Sequence, residues 1–152
     1  MPAEAALARS STLRDLIETE ISRFLAVTRH GAEGDLYLGR RRHRRHYRTW
    51  PLLVARLANL KREDLSVSLA NASAAGLAFR APRPYKAGSF VAIKLFWHDP
   101  RAYRVPAIVR HCRSDATPKC DSTAFLIGCE FALADDALLE RVCEARLGWY
   151  DA

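Results

Sequence analysis

Apolar residues recur along this chain with two different periods, and the change of period divides it. Leu13, Leu16, Ile17, Ile21, Phe24 and Leu25 fall at helical spacing, with Arg14, Asp15, Glu18, Glu20 and Arg23 between them. This predicts an amphipathic helix of about four turns over residues 12–28, capped by Ser11 or Thr12, with Asp15 placed as in a capping box. The Ala-rich residues before it carry no strong structural demand and are expected to fray. From Trp50 onward the segments are short and strand-like. Between Glu63 and Asn71, Leu65, Val67 and Leu69 alternate with Ser66 and Ser68. Trp50–Leu60 and Gly76–Arg80 add two more strands. Phe90–Trp97 carries Val91, Ile93, Leu95 and Trp97 on one face. Tyr103–His111 sets Val105, Ala107 and Val109 opposite Arg104, Pro106, Ile108 and Arg110, so Pro106 must fall at an edge or a bulge. Thr123–Phe131 puts Phe125, Ile127, Cys129 and Phe131 together. Turn chemistry fills 81–88 and 98–100, a polar loop fills 113–122, and Asp135 caps a closing helix over Ala137–Leu147.

Six strands without intervening helices cannot make a parallel sheet. The predicted fold is all-β: a six-stranded antiparallel barrel, closed or nearly closed so that edges disappear, with an N-terminal amphipathic helix and a C-terminal helix. Residues 1–39 read as an extension made of the helix and a linker containing Gly31, Gly34 and Gly39, with Leu36-Tyr37-Leu38 as a short anchor. Residues 40–152 read as the barrel domain. The apolar face of the helix must cover either the barrel or the same helix in a second subunit, which would make a homodimer.

Length and composition narrow the classes. A chain of 152 residues supports one domain with a core plus a modest extension, and 49% hydrophobic with 27% charged residues excludes wholesale disorder. No apolar run approaches the roughly 18–20 residues of a membrane span, and the first residues lack the order of a secretory signal, so the expected location is cytoplasmic. Cys112, Cys120, Cys129 and Cys143 contain no CxxC pair and fit no common zinc spacing, so no metal site is expected. Cys129 and Cys143 sit in apolar patterns as small buried thiols, while Cys112 and Cys120 could approach across a hairpin loop.

Charge changes the picture most. Arg40-Arg41-Arg42-His43-Arg44-Arg45-His46-Tyr47-Arg48 supplies six arginines to a chain whose formal net charge is +7. The excess is therefore local, which suits one anionic ligand or surface. Guanidinium stays charged, forks onto phosphate and stacks on planar rings. A solvated basic arm is the plain alternative. No Gly-x-Ser-x-Gly, His-Glu-x-x-His or phosphate-binding glycine loop is present, so no enzymatic activity is expected. A second feature is Asn71-Ala72-Ser73-Ala74-Ala75-Gly76, which offers two short hydrogen-bonding side chains and a glycine between two strands.

Taken together, an Arg-x-x-x-Arg arm before the first strand and an Asn-x-Ser-x-x-Gly turn resemble the PilZ domain, the bacterial cyclic di-GMP receptor family. The likeness covers roughly residues 40–147 and implies a split-barrel type fold. The arm satisfies the first motif in three frames: Arg40 with Arg44, Arg41 with Arg45, and Arg44 with Arg48. The last is favoured because it runs straight into the first strand. The resemblance implies that Arg44 and Arg48 contact phosphate and guanine, with Arg45 auxiliary and Arg41 paired to it in the other frame. It also implies that Asn71 and Ser73 meet a base edge and that Gly76 shapes the turn. The implied function is a non-enzymatic receptor with cyclic di-GMP as ligand, no cofactor, and a downstream effector protein as partner. A small-barrel nucleic-acid binder is the main rival, disfavoured because positive charge is concentrated before the barrel and not dispersed along strand faces. A PilZ-like adaptor that binds only protein is the third reading.

Overall fold

The computed structural model describes residues 2–29, 50–114 and 124–148. Strands β1 (Pro51–Ala58), β2 (Lys61–Ala72), β3 (Gly76–Ala81), β4 (Phe90–Lys94), β5 (Arg104–Ser114) and β6 (Phe125–Phe131) close into one antiparallel barrel, ordered β1-β2-β3-β6-β5-β4. Helices α1 (Pro2–Arg29) and α2 (Asp136–Glu144) stand before and after it. The predicted architecture is therefore the observed one. Closure lets strands as short as β4 persist, because every strand has a partner on both sides. Hairpin β1–β2 turns through Asn59 and Leu60, both with positive φ (52° and 65°), the backbone twist that a two-residue hairpin loop favours.

Alternation delivers Val54, Leu69, Phe79, Ile93, Val109 and Ile127 to the interior, all buried in one cluster. The barrel's ends are then stoppered. At one end Tyr85, from the turn after β3, stands edge-on to Phe79 with ring centroids 5.4 Å apart, and burial pushes its phenol up to about 12. At the other lies α1, whose Leu13, Ile17, Ile21 and Phe24 are buried in the same interior cluster. Phe24 meets Trp50 and Phe96 edge-on, at 6.0 and 5.8 Å between centroids. Arg14 donates to the Leu133 carbonyl at 2.8 Å and to Asp136 at 2.7 Å, and Arg23 pairs with Asp99 at 2.7 Å while lying over Phe96. The Arg23 hydrogen bond, helped by the Arg101 backbone N–H, holds the Asp99 carboxyl below the usual aspartate value. Among the described residues, no helix is long and apolar enough to cross a membrane.

Among the described residues, the outer wall is covered on one side only. Asp135 caps α2 by accepting from the Leu138 N–H at 2.6 Å, and Val142 then packs on Ile108 and Ala132. Leu147 packs on Ala55 and Ala92 outside β1 and β4. Arg104, on the strand face opposite Val105, is 1% exposed, with Asp64 3.7 Å from its guanidinium.

Several boundaries differ from expectation. The helix begins at Pro2, so Ser11 and Thr12 lie inside it and not at its start; the alanines expected to fray are the strongest helix formers. Strand β4 ends at Lys94, leaving Trp97 partly exposed and stacked on His98, off the face shared by Val91, Ile93 and Leu95. Helix α2 stops at Glu144, not Leu147. Pro106 keeps its strand place because its carbonyl accepts from Ala132 N at the finishing end of the β5–β6 ladder, and its missing N–H faces the same way. Cys120 and residues 30–49, with the linker and the arginine arm, lie outside the described residues; Cys112, Cys129 and Cys143 are free thiols.

Glu20 sits on the buried side of α1, 5% exposed, and its Oε1 has no hydrogen-bond partner among the described residues. Burial raises its carboxyl above the ordinary value of 4.5, opposed by Arg23 at 3.8 Å and assisted by Asp99. A folded-state value above the unfolded one means the ionised form weakens the fold at neutral pH. That penalty disappears below 4.5, where both states hold the proton. Glu20→Gln should therefore melt higher than the native chain at pH 7 in thermal circular dichroism, the two melting points converging as the pH is lowered through that value.

Candidate ligand groove

The outside of β2, β3, β6 and β5 carries an open groove of about 680 Å³ among the described residues. That volume lies within the roughly 300–1,000 Å³ of small-ligand sites. Its floor is set by register. Asn71 pairs with Ala78, Ala78 with Gly128, and Gly128 with His111, giving one row across four strands. A second row runs Ser68, Arg80, Leu126, Arg113.

Strict alternation would not produce the first row. Leu69 and Val109 point into the core, so Asn71 and His111, two residues further on, should point inward as well. The register of β2 shifts between Leu69 and Asn71, and that of β5 between Val109 and His111. Each shift inserts one extra residue, Ala70 or Arg110, and reverses the parity beyond it. Ala72 consequently takes the core place, and Asn71 and His111 turn outward.

All three residues of the Asn-x-Ser-x-x-Gly motif line the groove. Asn71 is on strand β2, not in the turn as the sequence suggested, and its amide has no hydrogen-bond partner among the described residues. Ser73 begins the turn proper. Its N–H donates to the Gly76 carbonyl at 2.8 Å, and its hydroxyl accepts from Ala75 N at 3.3 Å. The hydroxyl is thus partly committed to the turn, with acceptor capacity left for a ligand. Gly76 is needed for close approach and not for a left-handed backbone: a Cβ there would lie 2.1 Å from the Cys129 carbonyl oxygen. Arg41, Arg44, Arg45 and Arg48 lie outside the described residues.

The barrel wall supplies basic side chains of its own, which the sequence reading did not single out. Arg80, Arg110 and Arg113, with the His111 ring, line the groove against one described carboxylate, Glu130. Arg110 donates to Glu130 at 2.7 Å, while Arg113 is exposed with no described acid bound to it. A small anion with planar groups suits such a surface. The sequence did hold a signal: a histidine at an inward-parity position and a glycine inside an apolar strand both mark departures from regular alternation. Among the described residues no three His, Cys, Asp or Glu side chains gather as a metal site would require.

A family model described as the PilZ domain matches residues 40–145. No curated protein matches the chain. Among solved structures, the PilZ domain of YcgR from Escherichia coli, with c-di-GMP, is similar at 16% identity over 69% of this chain and 87% of that one, with a TM-score of 0.51. The MrkH–c-di-GMP complex from K. pneumonia is similar at 14% identity over 70% and 52%, with a TM-score of 0.48. The Bacillus subtilis inhibitor of motility MotI/DgrA is similar at 20% identity over 73% and 53%, with a TM-score of 0.44. This chain spans about half the length of the last two. At such identities the likeness is one of fold.

The two groove glycines should respond differently to an added methyl. Gly76→Ala meets backbone and must part β3 from β6, costing about 1–3 kcal/mol as overpacked sites do. Gly128→Ala meets only the far end of the His111 side chain, which can swing away. Denaturant melts should therefore rank Gly76→Ala as the less stable variant.

Proposed function

The chain belongs to the PilZ domain family, and from that membership we propose that it is a non-enzymatic receptor for cyclic di-GMP. One observation carries the reading. Asn71, Ser73 and Gly76, spread over a strand, a turn and the next strand, open on a single cationic groove. Cyclic di-GMP presents two phosphates and two guanines, so its receptor needs cations, base-edge partners and planar surfaces. The Asn71 amide and the Ser73 hydroxyl face the groove as base-edge partners. Arginine serves the rest: forked onto guanine O6 and N7 it contributes about 1–3 kcal/mol of base discrimination by analogy with DNA readout.

The arm completes the site in this proposal. The Trp50 carbonyl accepts from Leu69 N, two residues short of Asn71, so the chain joins the barrel beside the groove. Two residues of chain reach roughly 7 Å and six reach roughly 20 Å. Arg48 and Arg44 are thus tethered near the groove, and Arg45 and Arg41 can serve as the alternative pair. Binding would hold residues 40–48 against the barrel, with 1–39 as the extension that carries the signal. Re-aiming α1 then changes the surface offered to an effector protein. A homodimer through α1 would have to use its outer side, because Leu13, Ile17, Ile21 and Phe24 are buried. A receptor for an intracellular nucleotide acts in the cytoplasm.

Calorimetric titration with cyclic di-GMP, GTP and a short oligonucleotide tests the reading. Cyclic di-GMP should bind in preference to both, and Arg44→Ala and Asn71→Ala should each weaken it roughly 5- to 150-fold, the span of one bidentate contact. Preference for the oligonucleotide with a steep salt slope would favour a nucleic-acid binder. Silence toward all three would favour a protein-only adaptor. Amide exchange at α1 that is unchanged at saturating ligand would refute the switch.

A further inference from the structure

His111 belongs to no motif that the sequence analysis absorbed, yet the fold makes elaborate provision for it. A parity reversal turns it outward into the row of Asn71. A glycine lies opposite, and that glycine is where the ring rests. A Cβ on Gly128 would fall 2.0 Å from His111 Cε1, 2.3 Å from Nε2 and 2.7 Å from Nδ1. The two nitrogens are almost as near as the carbon between them, which a face-on ring gives and an edge-on ring does not. One face of the imidazole is therefore pressed on the Gly128 backbone. The residue is nevertheless exposed, so the accessible area belongs to the opposite face and the rim, which border the groove.

Among the described lining residues His111 is the only aromatic ring. Between it and Asn71 the floor holds just the Ala78 methyl. Strands about 4.8 Å apart set the Asn71 strand and the seated ring roughly 10 Å from one another. That is room for a purine bonded along its edge at one side and covered on its face at the other. We infer that His111 is a base-stacking platform of this groove, supplied by the barrel wall independently of the arginine arm and specific to ligands that carry a purine. The inference rests on the cyclic di-GMP reading and assigns one guanine face to His111. Gly128 is then the positioning residue, since any side chain there would lift the ring.

The test uses the full chain. Calorimetry with cyclic di-GMP is run on the native protein, His111→Ala and His111→Phe, and the histidine ring protons are followed by NMR. The chain has five histidines, so the His111 signals are identified by their loss in His111→Phe. His111→Ala should bind roughly 5- to 10-fold more weakly, near the lower end for loss of one base–ring stack. His111→Phe, which keeps a planar face without the nitrogens, should bind within about threefold of the native chain on the same stacking argument. The His111 ring protons should move upfield on saturation. Native-like affinity in His111→Ala, or ring protons that stay in place while the protein saturates, would overturn the stacking role and leave the receptor reading intact. No binding by the native chain would overturn both.

Discussion

The site depends on a broken alternation. A strand sends successive side chains to opposite faces, and in a small closed barrel the inward face is reserved for Val54, Leu69, Phe79 and their neighbours. A polar side chain caught on that face would be buried without a partner, at a cost of about 1–3 kcal/mol. Ala70 in β2 and Arg110 in β5 each add one residue, on opposite sides of the row that joins Asn71 to His111, and beyond them the parity is reversed. The reversals place Asn71 and His111 on the outer wall while Ala72 keeps the core filled. Two insertions, one to either side of a single row across four strands, thus turn polar side chains onto the groove.

Whether that surface stays open is decided by the helices. Helix α2 and the residues after it cover the outside of β1, β4 and the start of β5, and α1 stops one end. Among the described residues, the stretch of β2, β3, β6 and β5 that lines the groove receives no such cover. A wall built from glycine, alanine and arginine has little to gain from being covered, because burying apolar area stabilises at about 25 cal/mol per Å² and these side chains offer little of it. The covered wall instead presents Ile108, Ala55 and Ala92 to Val142 and Leu147. The asymmetry of the cover follows the asymmetry of the composition.

Much of this was legible in the chain. The period of two in Leu65, Val67 and Leu69, the absence of helices between strands, and the helical spacing from Leu13 to Phe24 were enough for a six-stranded antiparallel barrel with a helix on either side. The Asn-x-Ser-x-x-Gly motif named three residues that do line one groove. What the chain concealed was parity. Alternation has no mark for an extra residue, so His111 read as one more strand position and Asn71 as part of a turn. Helix α1 was drawn too short because capping chemistry at Thr12 looked like a start, although an alanine-rich approach continues a helix just as readily. The 40–48 stretch, with its three arginine frames, lies outside the described residues.

Trp50, the first described residue after the arm, has a mechanical consequence. Its indole N–H donates to the Leu95 carbonyl at 2.9 Å, and its ring stands edge-on between Phe24 of α1 and Phe96 after β4. A chain entering the barrel through a glycine could swivel there without its neighbours registering the change. One entering through a wedged indole cannot, since any rotation of the backbone must drag a ring that the helix also grips. The point where β1 begins is therefore pinned to α1 through one ring.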